Sequence, residues 1–417
     1  MVLVFLTTSL TLKYLGDSQY GIWVTIYSIV SWAYMLDFGF SNVIKTKLPI
    51  LINTSKDKVN TFLSTIYIGV AAIAFLILII AVLLNMFVSF SDFLNIKVST
   101  FNFNSVLFLN MLFSLLILII GNYKALFAGI IQTHVVEFSM MLIQLIIFCV
   151  ILSLCNFNIS TNESKIIIIS SVFGLVNIIV GLVFTIYFLQ KHKNIKISLK
   201  YFNLNILKTN TSMGFKYFIM QICMIIMYST DYVLITKYFG AKSVANYDIV
   251  LKLFQAPMLL LIAGMSPFWT IFSKTFAEKK YVWIKKSLKI YNYLFLIFIA
   301  GIIFLVMIIN KIIFLWIRKE INPSQFLLIC IATYVSMRTY TAFYNYFLNG
   351  INKINISLYL TIFGAVINIP VCIFLINMGI GIPGIVIGTC ISILPTTVIL
   401  PIQSFYVINK KIKTNDI

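Results

Sequence analysis

Apolar runs of about twenty residues, each long enough to cross a hydrocarbon layer roughly 30 Å thick, recur from one end of this chain to the other. The gaps between them are too short to hold a soluble domain. In a bilayer every backbone polar group must be satisfied inside the protein, so runs of this length read as helices. Composition agrees, with 61% hydrophobic and 10% charged residues, whereas soluble domains carry about 25% charged residues. The spans fall at about 1–13, 20–44, 60–84, 104–121, 135–155, 166–190, 214–239, 247–272, 288–315, 326–349, 356–376 and 382–408. Twelve spans are therefore expected, the first of them short. MVLVFLTTSLTL lacks the basic start of a signal peptide, so a clipped helix or an upstream start is expected there.

The net charge of +20 does not point to nucleic acid, because the lysines sit in short connections between apolar runs. Lys45, Lys47, Lys56 and Lys58 follow span 2. Lys191, Lys193, Lys196 and Lys200 follow span 6, and Lys274, Lys279, Lys280, Lys285 and Lys286 follow span 8. Connections on the other side carry far fewer. By the positive-inside rule, both termini are expected in the cytoplasm and the span number is even. The expected organisation is an N-terminal lobe over 1–190, a basic cytoplasmic linker over 191–213, a C-terminal lobe over 214–408 and a cytoplasmic tail over 409–417.

The six cysteines show no CxxC spacing, and His134 and His192 belong to no metal or triad pattern. There is no G-x-x-x-x-G-K-[ST] run for ATP. Gly379-Ile380-Gly381-Ile382-Pro383-Gly384 satisfies GxGxxG but joins two spans, so it reads as a turn. No catalytic residues, metal or cofactor are expected, and the chain reads as a transporter rather than an enzyme.

An internal repeat sets the topology. Lys13-Tyr14-Leu15-Gly16 matches Lys237-Tyr238-Phe239-Gly240, an offset of 224 residues. Gly39-Phe40-Ser41 matches Gly264-Met265-Ser266, and Ala125 to Gly129 resembles Tyr346 to Gly350. The nearly constant offset pairs span 1 with span 7 and span 4 with span 10. Six spans return the chain to its starting side, so the copies are parallel, one known transporter plan. The expected fold is an all-α polytopic membrane protein, two parallel six-helix lobes around a central cavity.

The stretch LGDSQYGIWVTIYSIVSWAYMLDFGFSNVIKTKL, Leu15 to Leu48, resembles the opening of bacterial polysaccharide flippases, the O-antigen and lipid-linked oligosaccharide translocases. These belong to the superfamily that also holds the MATE drug exporters. The marks are LG-x-x-x-YGIW and LDFG before a basic loop. The resemblance implies an inner-membrane flippase for undecaprenyl-pyrophosphate-linked oligosaccharide. It also implies membrane lipid, a polysaccharide polymerase and a chain-length regulator as partners. A cation-coupled MATE-type drug exporter and a non-transport assembly partner are the alternatives.

Polar residues inside spans mark candidate sites. Tyr27, Ser31 and Tyr34 share one face of span 2. Span 7 carries Gln221, Tyr228 and Asp231. Asp248, Lys252 and Gln255 share a face of span 8, and Tyr334, Arg338, Thr341 and Asn345 a face of span 10. Interhelical hydrogen bonding alone explains many such groups, at about 0.6 kcal/mol each. Arg338 demands more, since an arginine near a helix centre costs ~2.5–3.5 kcal/mol and its own span has no acidic residue. Lys252 can pair with Asp231 across a hairpin or with Asp248 one turn away. The substrate-cavity candidates are Arg338, Lys252, Asp231, Asp248, Gln255, Tyr34, Tyr228 and Asn345. Asp37 and Glu137 are the candidates for binding a proton or Na⁺, with capping or orienting the nearby basic loop the plainer role for Asp37.

Overall fold

The computed structural model describes residues 2–35, 37–51, 56–96, 102–130, 132–157, 165–265, 267–318, 321–351 and 353–415, with some helical side chains, Tyr34 among them, outside that description. The fold is all-helical, with no strand among the described residues. In chain order the helices are α1 (Val2–Met35), α2 (Phe40–Leu51), α3 (Lys56–Phe87), α4 (Phe90–Phe93), α5 (Phe103–Ile120), α6 (Tyr123–Gly129), α7 (Thr133–Phe157) and α8 (Lys165–Lys191). There follow α9 (Leu204–Phe239), α10 (Ala241–Met265), α11 (Phe268–Ala277), α12 (Tyr281–Ile317), α13 (Gln325–Gly350), α14 (Asn355–Asn377) and α15 (Ile382–Asn415). The chain forms two compact units, one from residues 1–222 and 232–245, the other from 223–231 and 246–417.

Ten helices among the described residues are long and apolar enough to cross a membrane. The first two expected spans are not among them. They form the two arms of α1, which breaks at Gly16 (φ 76°, ψ 167°). Span 2 is also shorter than its apolar run suggests. Its helix stops at Met35, and Phe38 (φ 51°) and Gly39 (φ 71°) turn the chain into α2, a separate short amphipathic helix. Span 8 behaves likewise. Its helix stops at Met265, and Pro267, which has no N–H to give, caps α11. Pro257, Pro370, Pro395 and Pro401 remain inside helices.

The repeat is visible in backbone geometry. Gly240 (φ 83°, ψ 163°) ends α9 as Gly16 breaks α1. Gly129 and Gly350 close α6 and α13 with matching caps: Ile130 N–H bonds Leu126 O and Gln132 N–H bonds Phe127 O, as Ile351 N–H bonds Phe347 O and Lys353 N–H bonds Leu348 O. Gly129 lies against Ile44 and Leu48 of α2, and Gly350 against Trp269 and Ser273 of α11. At an offset of 225, Ile44 and Leu48 fall on Trp269 and Ser273. The third correspondence is not kept. Gly39 is left-handed while Gly264 is helical, and Ser266 lies outside the described residues.

Packing in the second unit relies on small residues, as expected where lipid gives no hydrophobic drive between helices. A Cβ on Gly364 would sit 2.5 Å from Ser392 O, and one on Gly388 2.5 Å from Cys372 Sγ, so α14 and α15 touch closely. Rings of Phe272, Tyr291, Phe343, Tyr344 and Phe347 fill the space between α11, α12 and α13.

In the first unit, part of the expected linker is strapped to α3. Lys196 N–H donates to Asn60 Oδ1 at 2.8 Å, Ser198 N–H to Ser64 Oγ at 3.0 Å and Asn203 N–H to Thr65 Oγ1 at 3.0 Å. Asn203 then caps α9, its Oδ1 accepting from Asn205 and Ile206 N–H.

Candidate functional site

The second unit holds a connected polar network inside otherwise apolar helices. Asp231 on α9 is 3% exposed. Tyr247 of α10 donates to its Oδ2 at 3.1 Å, and Thr389 of α15 to its Oδ1 at 3.0 Å. Asn368 of α14 extends the network, donating to Thr389 Oγ1 and Ser392 Oγ at 3.3 Å each and lying 3.4 Å from Thr230 Oγ1. Both carboxylate oxygens thus face neutral hydroxyls. A carboxylate taken out of water needs such partners or a counter-charge. Held this way, it can gain a proton or a small cation with little rearrangement of its neighbours.

Arg338 of α13 lies beside this network. Its guanidinium carbon is 4.3 Å from the centre of the Tyr228 ring, and its Nη1 donates to Tyr334 Oη at 3.1 Å. Tyr228 precedes Asp231 by three residues on α9, so the stacked arginine and the buried carboxylate occupy adjacent turns of one helix face. Stacking on an aromatic ring suits arginine, which is less strongly hydrated than lysine. The Tyr228 ring that Arg338 stacks on belongs to another helix, α9.

The other candidates divide. Lys252 pairs with Asp248 at 2.8 Å, the i, i+4 alternative, with Asp248 buried. Asn345 Oδ1 accepts from Ser357 of α14 at 3.0 Å, so it joins two helices. Gln255 is half-buried on α10. Tyr34 lies outside the described side chains. Of the two ion-binding candidates, Glu137 is exposed on α7. Asp37 is buried, but its oxygens accept from Gly39 N–H and Ser41 N–H at 2.9 Å and from Gln221 Nε2 at 3.2 Å. That is the capping geometry of the turn into α2.

Sequence reading missed Tyr247, Thr389 and Asn368. Their signal is weak: each is an uncharged polar residue among several in its span, and residues such as Thr and Asn commonly bond across membrane helices. It also missed a polar cavity, of about 240 Å³, within the first unit. Tyr27, Asn110, Ser114, Lys124, Gln144, Phe173 and Asn177 contribute to its wall. Asn110 and Asn177 each donate to the carbonyl four residues back, which leaves an amide oxygen on each as an acceptor. No carboxylate is among the described residues that line it.

The MatE family model matches residues 217–374. No curated protein matches the sequence. Among solved structures, an inward-facing multidrug-resistance MATE family transporter of the MOP superfamily shares 15% identity, covering 99% of this chain and 95% of that one at a TM-score of 0.72. An outward-facing structure of such a transporter shares 14% over 99% and 94% at 0.67. A MOP superfamily transporter from Pyrococcus furiosus, described as having a binding pocket of reverse polarity and a different function, shares 15% over 98% and 95% at 0.65. The fold is that of the MATE transporters, and the chain is a multi-pass membrane protein.

Proposed function

We propose that this chain is a transporter of the MATE-like superfamily that exports its substrate by coupling to a proton or cation gradient. The observation carrying this reading is likeness to the MATE fold over nearly the whole chain, joined to the MatE match over residues 217–374. Asp231 is its candidate coupling group, because a buried carboxylate held by hydroxyls can take up and release a cation. Cytoplasmic termini, read from the lysine distribution, and the bacterial inner membrane, implied by the resemblance to polysaccharide flippases, are part of the proposal. The test is reconstitution in proteoliposomes. An imposed pH or Na⁺ gradient should drive uptake of a lipophilic cationic dye, and dye movement that ignores every gradient would end this reading.

A second reading is favoured by two observations: Arg338 stacked within the second unit, and the cavity beside Lys124, which has no carboxylate among its described lining residues. Cations and amide acceptors suit a substrate with an anionic group and many hydroxyls, such as an isoprenoid-pyrophosphate-linked oligosaccharide. The resemblance of Leu15 to Leu48 to polysaccharide flippases points the same way. Deletion of the gene separates the two. Lost surface polysaccharide with lipid-linked units trapped on the cytoplasmic face supports the flippase, while normal polysaccharide with raised drug sensitivity supports the exporter.

A further inference from the structure

The repeat exposes an unequal pair of helix faces. At an offset of 225, Val59, Leu63 and Ile66 of α3 fall on Ile284, Leu288 and Tyr291 of α12, and all six are buried. The two helices therefore present corresponding faces. The neighbouring face of α3 carries Asn60, Ser64 and Thr65, each buried under the strap. The matching positions on α12 are Lys285, Lys289 and Ile290. Lys289 and Ile290 are exposed and Lys285 is half-buried.

The change of residues inverts the chemistry of the face. Asn60, Ser64 and Thr65 accept hydrogen bonds from the N–H groups of the strap. Lysine ammonium groups can only donate, so the α12 face calls for an acceptor, preferably an anionic one. Charge complementarity is not met from within the stretch. Glu278 is the one acidic residue between Ile249 and Lys319, and it is engaged by Lys280 at 2.7 Å and Lys274 at 3.9 Å. Depth is set by two exposed aromatics, Trp283 and Tyr293, which flank the lysines along α12. Such residues sit at headgroup level. At that level the anionic acceptor is lipid phosphate.

We propose that Lys285, Lys289 and Ile290 form a docking surface for the headgroup of an anionic phospholipid, in the place where the strap lies on the other copy. The lysines take the phosphate oxygens and Ile290 meets the first acyl carbons.

Trp283 is the built-in probe. The full chain is reconstituted in phosphatidylcholine vesicles doped with brominated phosphatidylglycerol or brominated phosphatidylcholine, and quenching specific to Trp283 is obtained by subtracting the Trp283→Phe protein. A preference for the anionic lipid on the order of tenfold is expected. It should vanish in Lys285→Gln/Lys289→Gln, return in Lys285→Arg/Lys289→Arg, and persist in Lys410→Gln/Lys411→Gln. No preference in the unaltered chain, its survival in the Lys285/Lys289 glutamine variant, or equal loss in the Lys410/Lys411 variant would each overturn the proposal. The last outcome would mean diffuse charge rather than a site.

Discussion

Gly16 and Gly240 lie 224 residues apart and share one backbone conformation, φ 76°, ψ 167° and φ 83°, ψ 163°. This region of φ/ψ space is open essentially to glycine alone. A Cβ at either position would meet nothing within 4 Å, so substitution tests backbone strain without a clash. Gly16→Ala and Gly240→Ala should each lower stability by about 1–3 kcal/mol, by similar amounts, in thermal unfolding in detergent. A large cost at one and none at the other would break the equivalence of the two helix ends.

Asp231 should behave as a functional rather than a structural carboxylate. Asp231→Asn keeps the shape and removes the charge. Its amide oxygen still accepts from one of the two hydroxyls of Tyr247 and Thr389, while its NH2 group can only donate, so the other hydroxyl must turn to accept. The variant should fold and insert normally, lose gradient-driven transport by at least about tenfold, the scale of about 1.4 kcal/mol, and no longer respond to the gradient. Full coupled transport in this variant would move the coupling group elsewhere.

Arg338 and Tyr228 should be energetically coupled. Desolvated cation–π pairs are worth about 2 kcal/mol, and lysine cannot reproduce the planar stacking. In a double-mutant cycle of Arg338→Lys and Tyr228→Leu, unfolding in detergent should give a coupling energy of about 1–2 kcal/mol. Strict additivity would show that the 4.3 Å contact contributes nothing.

Ser64 holds the strap at two atoms, Lys196 O and Ser198 N–H. Ser64→Ala leaves a backbone N–H without its acceptor, at about 1–3 kcal/mol. Trypsin should then cut at Lys193, Lys196 or Lys200 several-fold faster, with bond positions read by mass spectrometry. An unchanged cutting rate would mean the other anchors suffice.

Spans were legible because length and apolarity suffice for a membrane helix, and the repeat was legible because glycine is irreplaceable at left-handed positions. Helix ends inside apolar runs were harder. The break after Met35 depends on the Asp37 cap and on Gly39, not on any loss of apolarity, so span 2 was drawn through it. The site was legible in its charged members and in the two tyrosines beside Arg338, Tyr228 and Tyr334. Arg338 and Asp231 stand out because charge is costly in a membrane. Thr389 and Asn368 carry no charge, and what brings them to Asp231 is the close approach of α14 to α15 at Gly364 and Gly388, a distance that no single-chain pattern encodes. Asp37 looks alike in sequence whether it serves a cation or a turn, and only the structure shows that its oxygens accept from the N–H groups of Gly39 and Ser41.

The duplication has a further consequence. Moved back by 224 residues, Asp231, Asp248 and Lys252 land on Thr7, Val24 and Ser28. One scaffold was written twice, but this ionic set was written once. Selection at the uncharged counterparts answers chiefly to packing, so those positions are open to change that Asp231, Asp248 and Lys252 do not tolerate. Substitution maps of the two halves should therefore diverge most where their backbones agree best.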